Sequence, residues 1–246
     1  MLRVLFAAAA LLAPLPAQAA WKLVSLPKDV TLRAAAVTGP ASFAVSGSKG
    51  TYAVTEDGGA TWRFSAPSDG GELDFRGLAA LDGRTAVLMS AGEGPLGKAK
   101  LFRTEDSGRT WTLAYETRLA DSFLDAVAFR NTRDGYVLGD PIDGRWFLLR
   151  TRDGGKSWAR IAGPAVEAGE AAFAASNSAL FLGPGREMWI VSGGLAKGRI
   201  AHSRDDGGDW DVIEAPLAGS PTAGLFGGLA LGRNRAVAVG GDYKDE

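Results

Sequence analysis

Thr55-Glu-Asp-Gly-Gly-Ala-Thr-Trp62 has three further versions in the chain: Thr104-Glu-Asp-Ser-Gly-Arg-Thr-Trp111, Thr151-Arg-Asp-Gly-Gly-Lys-Ser-Trp158 and Ser203-Arg-Asp-Asp-Gly-Gly-Asp-Trp210. The common pattern is Ser/Thr-x-Asp-x-Gly-x-(Thr/Ser)-Trp, and Asp209 replaces the second hydroxyl residue in the last copy. The central aspartates Asp57, Asp106, Asp153 and Asp205 lie 49, 47 and 52 residues apart. A fixed period of about 50 residues predicts a propeller or solenoid. Each copy reads as a turn. A short carboxylate bonds nearby backbone N–H groups, the glycine that follows permits positive φ, and Trp62, Trp111, Trp158 and Trp210 each supply one large ring to bury. These eight residues are expected to be structural, because a repeated turn serves the fold before it serves a function.

Outward from each copy run short apolar segments. They fall at 32–37, 42–46, 51–55 and 61–65 in the first repeat, and at 75–81, 85–90, 100–104 and 110–115 in the second. The third has 123–129, 135–139, 146–151 and 157–161; the fourth, less regular, has 172–177, 187–192, 199–203 and 209–213. Four antiparallel strands per repeat make a propeller blade, so the fold class is all-β, a β-propeller of four-stranded antiparallel blades over residues 21–246. Segments 224–231 and 235–240 add two strands of a fifth blade, giving about 4.5 blades. Exposed strand edges are a liability, so the expectation is a propeller incomplete at its C-terminus, cut from six or seven blades; a minimal five-bladed ring is the alternative. Residues 21–27 resemble the strand after each repeated turn and are expected to complete a blade from the other end of the chain.

Composition narrows the chemistry. The 246 residues contain no cysteine and one histidine, which removes disulfides and Cys- or His-rich metal sites. His202, next to the fourth turn, is expected to be a surface or packing residue. With 27 basic and 28 acidic residues the net charge is −1, which offers nucleic acid no basic footprint. Residues 1–20 read as a cleaved secretory leader, with Arg3 in a short basic start, an apolar run and an Ala-x-Ala end. That run is too short to span a bilayer. The expected product is a periplasmic or secreted monomer, with no stable membrane insertion and no cofactor.

Blade topology sorts the loops onto two faces. The repeated turns share one face with the links between first and second strands. The longer polar loops, 67–74, 91–99, 116–122, 139–145, 163–170 and 193–198, share the other, where function usually sits. Aligned innermost strands put Arg33, Arg76 and Asp125 at one position near the mouth of the central channel. Asp140, Asp143 and Arg145 share a loop there, and Glu170, Asp242 and Tyr243 fall on the same rim. Such a mixed rim suits a polar ligand or a charged segment of a protein partner through charge-assisted hydrogen bonds. The plain alternative is loop charges paired with one another, with Asp140 and Asp143 shaping the turn around Pro141.

The repeated phrase resembles the Asp-box, or BNR repeat, of β-propellers that include sialidases. Segment 123–158, with Phe123-Leu-Asp-Ala-Val-Ala-Phe129, Gly135-Tyr-Val-Leu-Gly139 and the third turn, resembles a blade of the photosystem II stability/assembly factor family and its bacterial relatives labelled oxidoreductases. That resemblance implies a propeller that holds partner proteins during assembly through an arginine-rich patch. Arg33 and Arg76 occupy comparable positions, and Asp125 interrupts the series. A sialidase-like hydrolase, its site completed by further blades, is the enzymatic alternative. It needs three arginines, a Tyr nucleophile with a Glu partner and an acid Asp, whereas Tyr52, Tyr115 and Tyr136 fall in expected strands and only Tyr243 lies near the rim. No Gly-x-Gly-x-x-Gly or metal cluster supports redox chemistry. A small-molecule-binding propeller is the third reading, marked by a closed pocket rather than a shallow patch. The expectation is a binding or assembly scaffold rather than a catalyst.

Overall fold

The computed structural model describes residue 23 and residues 29–173 and 177–245. The leader lies outside them, as does the strand expected at 21–27 apart from residue 23. The first blade comprises β1 (Leu32–Gly39), β2 (Ser42–Gly47), β3 (Thr51–Thr55) and β4 (Arg63–Ser65). The second has β5 (Asp74–Ala80), β6 (Ala86–Ala91), β7 (Ala99–Thr104) and β8 (Thr112–Thr117). The third has β9 (Leu124–Phe129), β10 (Gly135–Ile142), β11 (Arg145–Thr151) and β12 (Ala159–Ala165). The fourth has β13 (Leu180–Leu182), β14 (Met188–Ser192), β15 (Lys197–Ser203) and β16 (Asp211–Ala218), and a two-stranded sheet of β17 (Ala223–Gly232) and β18 (Arg235–Asp242) follows. Every sheet pairs its strands in chain order and antiparallel. This is a β-propeller whose sheets do not close into a ring. One short 3-10 turn, Gly94–Leu96, interrupts the all-β pattern, and no helix among the described residues is long and apolar enough to cross a membrane.

The innermost strands β1, β5, β9, β13 and β17 pack in sequence. The core lies between neighbouring blades. Leu78, Leu88 and Phe102 of the second blade meet Ala44 and Tyr52 of the first, while Val87, Met89 and Leu101 meet Val137, Phe147 and Leu149 of the third. Middle strands are the driest: β3, β6 and β14 are buried at every position, because sheets cover both of their faces. Outer strand β16 is mostly exposed. The unpaired ends of the array expose apolar side chains, among them Val37 at 80% and Leu229 at 64%.

The repeated turns repeat in atomic detail. The first hydroxyl, from Thr55, Thr104, Thr151 or Ser203, donates to Oδ1 of the aspartate at 2.8 Å in all four. The same hydroxyl oxygen accepts the N–H of Gly59, Gly108, Gly155 and Gly207 at 2.8–2.9 Å. Oδ2 then accepts the second hydroxyl, from Thr61, Thr110 and Ser157, at 2.6 Å. Asp209 supplies no hydroxyl, so in the fourth turn Asp205 Oδ2 accepts the Asp209 N–H instead, at 3.2 Å. Gly108 illustrates the backbone demand: its φ is 82° and a Cβ would stand 2.5 Å from the Tyr52 ring of the preceding blade. Neighbouring blades are also tied on this face, where Arg63 donates to the Ser107 carbonyl at 2.8 Å and Arg103 to that of Gly154 at 2.7 Å.

The fourth blade departs from the sequence reading. Its innermost strand runs at Leu180–Leu182; of the strand expected at 172–177, residues 174–176 lie outside the described residues. Ala171 bridges Gly193, and Val191 N–H donates to the Ala179 carbonyl at 2.9 Å. Apolar character at Ala172 and Phe173 suggested a strand, but tertiary packing set its register.

Candidate binding site

Arg33, Arg76 and Asp125 occupy the same irregularity of three successive blades. β1 skips from the Leu32–Gly47 pair to Ala34–Ser46, β5 from Phe75–Ser90 to Gly77–Met89, and β9 from Leu124–Gly139 to Ala126–Leu138. Each of the three residues is therefore the extra residue of a β-bulge, a device that re-aims a side chain. Phe226 holds the matching place in β17, between Leu225–Gly240 and Gly227–Val239. The fourth blade brings Phe173 and Asn177 against its two neighbours. Its Phe173 meets the Phe226 ring at 4.8 Å and the Tyr243 ring at 5.9 Å, and its Asn177 Oδ1 accepts the Val127 N–H at 2.9 Å.

The two bulge arginines converge on Asp74, a residue the sequence reading passed over. Arg33 Nε lies 3.3 Å from Asp74 Oδ1, and Arg76 Nε donates to Asp74 Oδ2 at 2.9 Å. The sequence does not give this, because the two-residue spacing of Asp74 and Arg76 crosses the β5 bulge and Arg33 comes from another blade. Asp125 is different. It is 1% exposed and its Oδ2 has no partner among the described residues. Burial pushes its carboxyl well above the usual range, repulsion from Asp140 adds to this, and Arg76 offsets only part. Asp140, at the end of β10, is pushed up to about 6 by burial, against the pull of the Ala172 amide. Its Oδ1 is also buried without a partner among the described residues.

Asp140 opens onto a cleft of about 720 Å³ between the second, third and fourth blades. Glu93, Asp121, Glu167 and Glu170 line it too, together with Pro95, Pro141 and Val166. The remaining rim residues are placed as follows. Glu170 is buried, where it accepts the Ser192 hydroxyl at 2.6 Å and the Arg199 guanidinium. Asp143, with φ 55°, and Gly144, with φ 74°, form the two-residue turn between β10 and β11. Arg145 donates to the Gly163 carbonyl at 2.9 Å. Asp242 accepts the Lys244 N–H at 3.0 Å and the Ser220 hydroxyl at 3.1 Å, and Tyr243 remains 53% exposed. The structure thus joins Arg33, Asp74 and Arg76 in one ion cluster and sets Asp125 and Asp140 beside it. It engages Glu170, Arg145 and Asp242 in local bonds.

Other groups with chemical potential are occupied or buried. Tyr52 and Tyr136 are 1% and 0% exposed within β3 and β10. His202 is buried and stacks on Trp189 with ring centroids 3.5 Å apart. Among the described residues no group of three or more His, Asp or Glu is placed to hold a metal ion.

No family model matches the chain and no curated protein is similar to it. Among solved structures, an ancestral GH74 enzyme is similar at a TM-score of 0.63 and 16% identity, over 87% of this chain and 29% of that one. A protein of unknown function from Dyadobacter fermentans is similar at a TM-score of 0.57 and 15% identity, over 87% of this chain and 76% of that one. YCF48 bound to a D1 peptide covers 89% of this chain and 93% of its own at a TM-score of 0.45 and 13% identity. Likeness at these identities concerns the fold.

Proposed function

We propose that this chain is an exported propeller scaffold that holds a protein partner on its loop-rich face. The observation that carries the reading is the cleft at Asp140, where three blades meet and carboxylate oxygens on rigid strands lack partners among the described residues. Such buried, unsatisfied charge costs stability, and a bound group offsets that cost. The resemblance of segment 123–158 to an assembly-factor family points the same way. The test is a crosslinking pulldown from periplasmic extract with the wild-type chain and a variant altered at Arg33, Arg76 and Asp140. A partner crosslinked to wild type and lost in the folded variant supports the reading; the same partner retained by both overturns it.

A second reading, glycoside hydrolysis, is favoured by the raised pKa of Asp140, which suits a general acid. Turnover of a fluorogenic glycoside that disappears in Asp140→Asn would put it first.

A further inference from the structure

Acidic residues around a cleft are common and commonly mean only a solvated rim. Here one lining residue, Asp140, is backed by a second carboxyl that a solvated rim does not explain. Asp125, turned out of the β9 ladder by its bulge, is 1% exposed and holds an Oδ2 without a partner among the described residues, beside Asp140. Asp140 carries the unsatisfied Oδ1 and lines the cleft itself. Two neighbouring carboxyls in a poorly solvated place cannot both ionise cheaply. A cation entering the cleft would let them do so.

Charged groups on the packed elements give the cleft one sign. β10 contributes Asp140, with Asp125 of β9 buried behind it, and the flanking loops contribute Glu93 and Asp121. Glu167 and Glu170 follow β12, and Arg199 of β15 pairs with both, at 3.6 Å to Glu167. Arg76 of β5 acts on Asp125 but is already bonded to Asp74. Among the described residues no lysine or arginine lines the cleft. Pro95, Pro141 and Val166 provide the apolar wall that a methylene stem needs while its charged head reaches a counter-ion.

We infer that the cleft receives a lysine or arginine side chain presented by a partner polypeptide, with Asp140 as its counter-charge and Asp125 as the carboxylate behind it. The inference rests on the partner-holding reading and names the chemistry of that partner. Binding the cation draws a proton off the carboxyl pair, so affinity rises with pH.

The probe is an end-blocked tri-arginine peptide, titrated calorimetrically into the protein at pH 5 and pH 7.5. Wild type is expected to bind about tenfold more tightly at pH 7.5, with proton release. Asp140→Asn is expected to weaken binding about tenfold at pH 7.5 and to flatten the pH dependence. Asp125→Asn, which leaves the cleft lining unchanged, should flatten the pH dependence with a smaller loss. Asp121→Asn, on the exposed rim, should cost about twofold or less. Equal binding by wild type and Asp140→Asn, or equal binding of a tri-glutamate peptide, overturns the inference. If tri-arginine fails to bind while Asp140→Asn still loses its crosslinked partner, the cationic chemistry is wrong and the scaffold reading survives. If tri-arginine binds as described and the pulldown finds no partner that depends on this face, the site stands and the scaffold reading falls.

Discussion

The two faces of this propeller treat aspartate in opposite ways. On the face of the repeated turns each carboxylate is bonded within four residues of itself. Hydroxyl and amide donors from Thr61 and Thr110 hold Asp57 and Asp106 far below the usual range, and the Asp209 amide with the Ser203 hydroxyl lowers Asp205. Burial is the largest single influence on Asp153 and pushes it up, but the Ser157, Thr151 and Lys156 donors together outweigh it and leave the group at about 2. On the loop-rich face Asp125 and Asp140 are raised by burial, and an oxygen of each lacks a partner among the described residues. Local hydrogen bonds turn the first set into part of the fold. Their absence makes the second set costly to the fold.

The sharpest break of this comparison is Thr151→Val. Its hydroxyl serves Asp153 and the buried Gly155 N–H at once. Its loss should cost about 3 kcal/mol, read by urea denaturation. On the other face Asp140→Asn should act in the opposite direction, stabilising the protein by on the order of 2 kcal/mol at neutral pH. The pH profile separates the two sets. Asp153, lowered to about 2, stabilises above pH ~4 and loses that contribution as pH falls through 2. Asp140, raised to about 6, binds more protons folded than unfolded, so its cost grows from pH ~4 to 6 and is absent below. Melting temperature should therefore climb from pH ~2 to 4 and then decline towards pH ~6. Asp140→Asn should reduce the decline and leave the climb unchanged, the remainder coming from the buried Asp125 carboxyl.

A smaller change would sharpen the contrast within the turn face itself. Asp209→Thr restores the hydroxyl bond to Oδ2 that the other three turns make at 2.6 Å. It should raise stability by about 0.5–1 kcal/mol in thermal or urea melts. The smallest effect is expected at Asp143→Asn, which keeps a residue tolerant of the left-handed turn at φ 55°. Stability should change by less than about 0.5 kcal/mol, consistent with a turn role for this residue.

Much of the architecture is legible in the amino-acid chain alone. The four turns, their tryptophans and the fifth, two-stranded sheet stand where the period places them, and the equivalence of Arg33, Arg76 and Asp125 follows from aligning repeats. The bulges that make these three residues equivalent are not legible there, because a bulge depends on the partner strand's register. Nor is the role of Asp74, whose two arginine partners come from different blades, or the burial of Glu170, which depends on Arg199 some thirty residues downstream. The placement of β13 at Leu180–Leu182 escapes for the same reason.

The sequence by itself determined the repeating architecture, because the interactions that specify each turn lie within eight consecutive residues. Only the tertiary structure decided which charges are spent and which are left. Asp57 and Asp125 are the same side chain in one dimension. They differ because Asp57 finds its donors four residues along the chain, while Asp125 is enclosed by neighbouring strands that bring it a second carboxyl and, for its Oδ2, no donor among the described residues.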